Sequence, residues 1–130
     1  MIKGDLISCQ RYINRAKVLD KAARFKRFIV AVYPIVLRGK QYTVLMDGHH
    51  NYAAAKLVGA TPDYRPVGKK VLRILNAMPE KEREAHFINN ITDSHYYFVE
   101  TGKVVEDLVL PDTSHPLSVH VNNQWVLGHG

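Results

Sequence analysis

The 130-residue chain has a single cysteine, Cys9, and no long apolar run. One cysteine cannot form a disulfide within the chain, which favours a reducing compartment. The longest mainly apolar stretch, residues 28–37, contains Pro34 and is much shorter than the ~20 residues that cross a bilayer. The amino end also lacks the cationic start and apolar run of a secretory signal. These absences predict a cytoplasmic protein without a membrane segment.

Low-complexity tracts and internal repeats are also absent. The hydrophobic fraction is 46%, as in a folded globular protein, and the length suits one domain with a substantial core. We therefore expect a single domain over residues 1–130.

Acidic residues are scarce in the first part of the chain. The formal net charge is +6, and fifteen of the eighteen Lys and Arg residues lie in residues 1–75, together with only four of the twelve acids. A basic surface attracts the phosphates of nucleotides, DNA or RNA, and also acidic proteins. An anion site, if present, is expected in the first half.

Apolar periodicity and turn residues predict the secondary structure. The first half contains a short strand within residues 2–9, a basic amphipathic helix over 15–28, a hairpin with strands 28–37 and 42–46, a helix over 52–58 and a strand over 64–67. The second half contains helices over 69–77 and 79–91 and two β-hairpins within 96–110 and 117–127.

The segment Asp47-Gly48-His49-His50-Asn51 joins a strand to a helix. A glycine turn followed by a helix amino terminus presents backbone N–H groups and partial positive charge, which suits a phosphate. Gly48 could adopt unusual dihedrals, His49 and His50 could donate hydrogen bonds, and Asn51 could cap the helix or bind a ligand. In the structural alternative, Asp47 or Asn51 is only an N-cap and the histidines are packing or surface residues. Adjacent histidines diverge on a helix or strand, so no metal ligands are assigned.

The segment PIVLRGKQYTVLMDGHHNYAAAKLVG, residues 34–59, followed by Pro66-Val67, resembles the core of the ParB/sulfiredoxin superfamily. The resemblance implies an α+β domain, with a small mixed sheet and packed helices, whose core is about residues 1–68. Residues 69–130 would add helices and the C-terminal β-hairpins. It also implies that ATP, ADP or CTP, with Mg²⁺, binds at Gly48, His49, His50 and Asn51.

The resemblance further implies nucleotide hydrolysis or phosphotransfer, for which we assign Asp47, His49 and His50 as candidate catalytic residues. Asn51 replaces the family's arginine and removes a bidentate phosphate donor. His49 stands where sulfiredoxins have their cysteine and partition proteins a metal-binding glutamate, so sulfinic acid reduction is not expected. Asp20 is the other acid considered for a kinase-like reaction.

Two other functions remain open. The basic first half favours a nucleic-acid-binding or nuclease protein, and the predicted hairpins could instead form the contact surface of a non-catalytic mobile-element protein that binds another protein. The histidines at positions 95, 115 and 120 match no motif and are assigned structural or solvated roles. The aromatic residues Tyr96, Tyr97, Phe98 and Trp125 are assigned to hairpin packing rather than base stacking.

Overall fold

The computed structural model describes residues 2–90 and 93–114. It contains a five-stranded mixed sheet with helices packed against it. The elements in chain order are β1 (Asp5–Ser8), α1 (Arg15–Arg24), β2 (Ile29–Leu37), β3 (Lys40–Asp47), α2 (His49–Val58), β4 (Asp63–Pro66), α3 (Lys69–Ala77), α4 (Glu80–Asn89), β5 (Tyr97–Phe98) and a 3₁₀ turn at Glu106–Leu108. This arrangement confirms the expected α+β class with a small mixed sheet. None of the described helices is long and apolar enough to cross a membrane.

The β2–β3 hairpin forms the centre of the sheet. Its strands are rich in β-branched residues, and the tight connection has Arg38 at φ 50° and Gly39 at φ 79°. Two successive residues with positive φ are typical of the hairpin turn whose twist matches that of the strands. The Arg38 side chain donates a hydrogen bond to the Asp107 carbonyl oxygen at 2.8 Å, which ties the turn to the C-terminal part of the described chain.

The strand order is β4-β2-β3-β1-β5. β1 is parallel to β3, with Ile7 opposite Val44, whereas β2 is antiparallel to β3 and β4 is parallel to β2. The carboxyl ends of β1 and β3 therefore meet the amino end of β2 at the same end of the sheet. Loops following the carboxyl ends of strands are common binding sites in open α/β sheets.

Apolar side chains cover both faces of the sheet. On one face, Tyr42 and Val44 belong to the same buried cluster as Leu75 of α3 and Phe87 of α4. On the other face, Val30, Val32 and Leu45 pack with Tyr52 of α2. A third cluster joins the two amino-terminal helices through Val18, Phe28, Ala54 and Ala55. α2 is thus held by both the sheet and α1.

Two secondary-structure predictions need correction. The helix predicted over 15–28 ends at Arg24, because Phe25 is extended and its ring stacks with Phe28. The strand predicted over 104–110 is wrong: only Val104 bridges, to Tyr97, and the 3₁₀ turn follows. Val105 and Leu108 are both buried at a spacing of three residues, which suits a 3₁₀ turn and not the alternation of a strand. The hairpin predicted within 117–127, with residues 115, 120 and 125, lies outside the described residues.

Candidate functional site

The junction between β3 and α2 requires glycine at position 48. Gly48 has φ 88° and is the N-cap of α2, and a Cβ at this position would lie 2.7 Å from the Ile29 carbonyl oxygen. The unusual dihedral expected for Gly48 is confirmed. The helix begins at His49, three residues before the predicted start, so both histidines lie in its first turn.

In the part of the chain that the structure describes, no side-chain hydrogen bond caps the amino terminus of α2. The Asp47 carboxylate accepts a hydrogen bond from the Gly48 backbone N–H at 2.8 Å, and the Asn51 side-chain amide donates one to the Ile29 carbonyl oxygen at 2.8 Å. The alternative that Asp47 or Asn51 serves as the N-cap is therefore wrong. The first-turn N–H groups, which have no partner within a helix, remain available to a ligand.

A cavity of about 410 Å³ lies at this junction and is lined by all five residues predicted for the site, Asp47 to Asn51. The other described residues in its lining are Gln10, Tyr12, Lys21, Ile29 and Ala31. Its size is in the range of small-molecule pockets, roughly 300–1,000 Å³. A slightly larger cavity, about 480 Å³, lies elsewhere, beside Leu6, Tyr64 and Glu100, and contains none of the predicted site residues.

His49 is buried at the back of this junction. Its Nε2 lies 2.8 Å from the hydroxyl oxygen of Ser8, at the carboxyl end of β1. Burial lowers the pKa of His49 to about 4, although the nearby Asp47 carboxylate opposes the shift. His49 is therefore neutral at pH 7.

His50 faces a different part of the structure. Its Nε2 accepts a hydrogen bond from the Asn14 backbone N–H at 3.0 Å, and Asn14 is the N-cap of α1. Burial lowers the pKa of His50, and the positive charges of Lys17 and Lys21 lower it further. The two histidines thus contact different elements, as expected, and His50 is also neutral at pH 7.

Lys21 lines the cavity and contributes a positive charge to it, although Lys21 is not among the residues predicted from the sequence for this site. It lies in the last turn of α1, and its ammonium nitrogen is 4.8 Å from the centre of the Phe25 ring. The only signal in the sequence was the row of basic residues along α1, which also fits a solvated face. Packing of α1 against α2 brings one member of that row to the site.

The two acidic residues considered for catalysis lie in different places, Asp47 at the cavity and Asp20 on the surface. Asp47 is exposed, and its hydrogen bond is to Gly48; within the described chain, none joins it to His49. Asp20 is paired with Arg24 at 2.8 Å on the surface and does not line the cavity. In residues 2–90 and 93–114, no group of three or more His, Cys, Asp or Glu residues is placed to hold a metal ion.

The chain was compared with protein-family models, with curated proteins and with solved structures, and none of them matches it.

Proposed function

We propose that this chain is a ParB/sulfiredoxin-like domain that binds the phosphates of a nucleotide, such as ATP, ADP or CTP, at the β3–α2 junction. The observation that carries the proposal is the conformation of Gly48, which places the uncapped amino terminus of α2 in a cavity that also contains Lys21. Backbone N–H groups, the helix dipole and one ammonium group together favour a phosphate.

Lys21 supplies the charge that Asn51 lacks. The Asn51 side chain is neutral and is engaged with the Ile29 carbonyl oxygen, and both histidines are neutral at pH 7. Among the described residues, Lys21 is therefore the only cationic side chain that lines the cavity. Because a lysine ammonium is a point charge without the fork geometry of arginine, it holds a phosphate less directionally.

Nucleotide hydrolysis or phosphotransfer is the reaction that we propose for this site. Asp47 is the acidic residue in the cavity lining, and its exposed carboxylate is the candidate acceptor for a proton from water or a substrate hydroxyl. A nucleotide's Mg²⁺ would depend on Asp47 and the nucleotide's own phosphates, since Mg²⁺ prefers oxygen ligands. His49 and His50 would contribute hydrogen bonds to the phosphates.

A thermal-shift experiment tests the binding proposal. Wild type, Lys21→Gln and Lys26→Gln are screened with ATP, ADP, CTP and GTP, with and without Mg²⁺. Lys26 is the matched control because it is exposed, lies just after α1 and does not line the cavity. Ligand at 100 times its Kd stabilises a protein by about 2.7 kcal/mol, which is readily measured.

We expect a nucleotide to raise the Tm of wild type and Lys26→Gln, and to raise that of Lys21→Gln much less. No shift with any nucleotide would overturn the proposal. Equal shifts in all three proteins would place the nucleotide away from Lys21. Release of inorganic phosphate by wild type but not by Asp47→Asn would support hydrolysis.

Nucleic-acid binding is a second candidate, favoured by the exposure of Arg15, Lys17 and Lys26 on and next to α1. Binding through these residues would neutralise backbone phosphates and release counterions, so affinity would fall steeply as salt rises. Fluorescence anisotropy with short DNA and RNA over a salt series measures this. If the affinity is unchanged in Lys26→Gln and independent of salt, nucleic-acid binding through this basic surface is excluded.

A further inference from the structure

Ser8 lies beside the candidate site although it is far from it in the sequence. It ends β1, its side chain is fully buried, and it sits next to the turn because β1 pairs in parallel with β3. Its hydroxyl oxygen accepts a hydrogen bond from the Gln10 backbone N–H at 3.1 Å and lies 2.8 Å from His49 Nε2.

The hydrogen-bond roles at Ser8 determine where His49 holds its proton. A serine hydroxyl has one proton, and the Gln10 N–H already supplies one donor to its oxygen. With that donor in place, the arrangement that also uses the Ser8 proton directs it at His49 Nε2, which then acts as the acceptor. A neutral imidazole with Nε2 as acceptor has its proton on Nδ1. Within the described residues, His49 Nδ1 makes no hydrogen bond, and His49 lines the cavity.

The Ser8–His49 pair has the composition of a nucleophile and its base, but burial argues against that role. The relative exposure of Ser8 is 0%, and Ser8 does not line the cavity. A substrate carbonyl or phosphorus atom would have to come within contact distance of the Ser8 oxygen for attack. Ser8 is therefore better placed to orient His49 than to react.

We infer that Ser8 is a positioning residue that holds His49 in its Nδ1-protonated tautomer, so that His49 offers a neutral N–H donor to an oxygen atom of the ligand. If the proposed function holds, this ligand oxygen belongs to a phosphate. Only the identity of the ligand rests on the proposed function; the assignment of Ser8 does not. A neutral donor on Nδ1 binds an acceptor but does not take up a proton at that atom. His49 would then act through hydrogen bonding and not as a general base.

Nitrogen-15 NMR of the imidazole side chains at pH 7 tests this inference directly. The chain has seven histidines, so the His49 signals are identified by their loss in His49→Gln. Spectra are recorded for wild type, Ser8→Ala and Thr43→Val. Thr43 is the matched control: it is also a fully buried hydroxyl residue in the sheet, and its hydroxyl bonds the Lys3 backbone instead of a histidine.

We expect wild type and Thr43→Val to show the proton on Nδ1 of His49, and Ser8→Ala to shift His49 towards the other tautomer. Nucleotide affinity should fall about threefold to tenfold in Ser8→Ala, the effect of weakening one hydrogen bond.

A wild-type spectrum with the proton on Nε2 would overturn the inference, because His49 would then donate its hydrogen bond to Ser8. The Ser8 hydroxyl would in that case donate to another acceptor, such as the nearby Tyr97. An unchanged tautomer in Ser8→Ala would overturn it as well. If Ser8→Ala does not fold, the wild-type spectrum still decides which nitrogen holds the proton. Nδ1 protonation in a chain that binds no nucleotide would refute the proposed function and support the assignment of Ser8.

Discussion

Replacing Gly48 with alanine tests the geometry of the candidate site with an internal control at the other end of the same helix. Gly48 precedes α2 with φ 88°, and Gly59 follows it with φ 72°. An added Cβ at Gly48 would lie 2.7 Å from the Ile29 carbonyl oxygen, whereas at Gly59 it would meet no atom of the described residues within 4 Å. Both substitutions force alanine into the left-handed region, but only Gly48→Ala creates a clash with backbone.

The two substitutions should therefore differ by the cost of the clash. A left-handed conformation costs a non-glycine residue about 1–2 kcal/mol, partly offset by about 0.4–1 kcal/mol from the stiffer unfolded chain. The net cost of Gly59→Ala should be about 1 kcal/mol. Overpacking adds roughly 1–3 kcal/mol, so Gly48→Ala should lower the free energy of unfolding by about 2–4 kcal/mol.

Urea denaturation of wild type, Gly48→Ala and Gly59→Ala measures these values as changes in the free energy of unfolding. If Gly48→Ala is no more destabilising than Gly59→Ala, the close approach of the turn to β2 is wrong. The same proteins also test the proposed nucleotide site: shifting the β3–α2 junction should weaken the proposed nucleotide binding in folded Gly48→Ala and leave Gly59→Ala close to wild type.

Four other substitutions, one of them a surface control, test burial, packing and capping. Burial lowers the pKa of His86 from 6.5 to about 4, so the folded state binds fewer protons than the unfolded state as the pH falls. The contribution of His86 to the free energy of unfolding is therefore fully present above pH 6.5. It is lost as the pH falls towards 4, by up to about 3 kcal/mol. In His86→Phe this part of the pH dependence should vanish from urea titrations, and an unchanged profile would contradict the burial. Leu75 is fully buried, so Leu75→Ala should lower the free energy of unfolding by about 2–5 kcal/mol. Leu57 is 58% exposed, so Leu57→Ala should lower it by at most about 0.5 kcal/mol. Similar thermal unfolding of the two variants would refute the assignment of Leu75 to the core. Asn14→Ala should cost about 1 kcal/mol in urea unfolding through loss of the α1 cap, and no change would exclude the cap.

The sequence predicts those elements whose signals are local. The β-branched runs around Arg38-Gly39 predict the central hairpin, and the alanine-rich segment closed by Gly59 predicts α2. The errors there are at the ends of elements. β3 begins at Lys40 because the connection needs only two residues with positive φ, and α2 begins at His49 because Gly48, rather than a polar side chain, occupies the N-cap.

Packing decides the segments that the sequence assigns wrongly. Residues 104–110 are rich in valine and leucine, which favours a strand, but this stretch follows a β5 of only two residues. Val105 and Leu108 instead turn into the cluster that contains Phe87 and Leu75. Their burial depends on the position of α3 and α4, so the local pattern could not reveal a 3₁₀ turn.

The candidate site shows the same division between local and distant information. Residues 47–51 follow one another in the sequence, and their residue types predict the turn that they form. Ser8 is 41 residues from His49, and Asn14 is 36 residues from His50, and only the pairing of β1 with β3 and the packing of α1 on α2 bring them together. Composition gave no reason to select Ser8, because a buried serine has no sequence signature.

Asn51 illustrates why the charge of the candidate site has to be judged in three dimensions. Its amide holds α2 against the first residue of β2, through a bond to the Ile29 carbonyl oxygen, which is the same oxygen that a Cβ on Gly48 would approach. An arginine here would bring charge but would lose this short contact, whereas Lys21 brings charge from α1 and leaves the contact intact. The positive charge at the cavity therefore comes from a neighbouring helix, so the phosphate binding that we propose would depend on how α1 packs against α2 as well as on the turn.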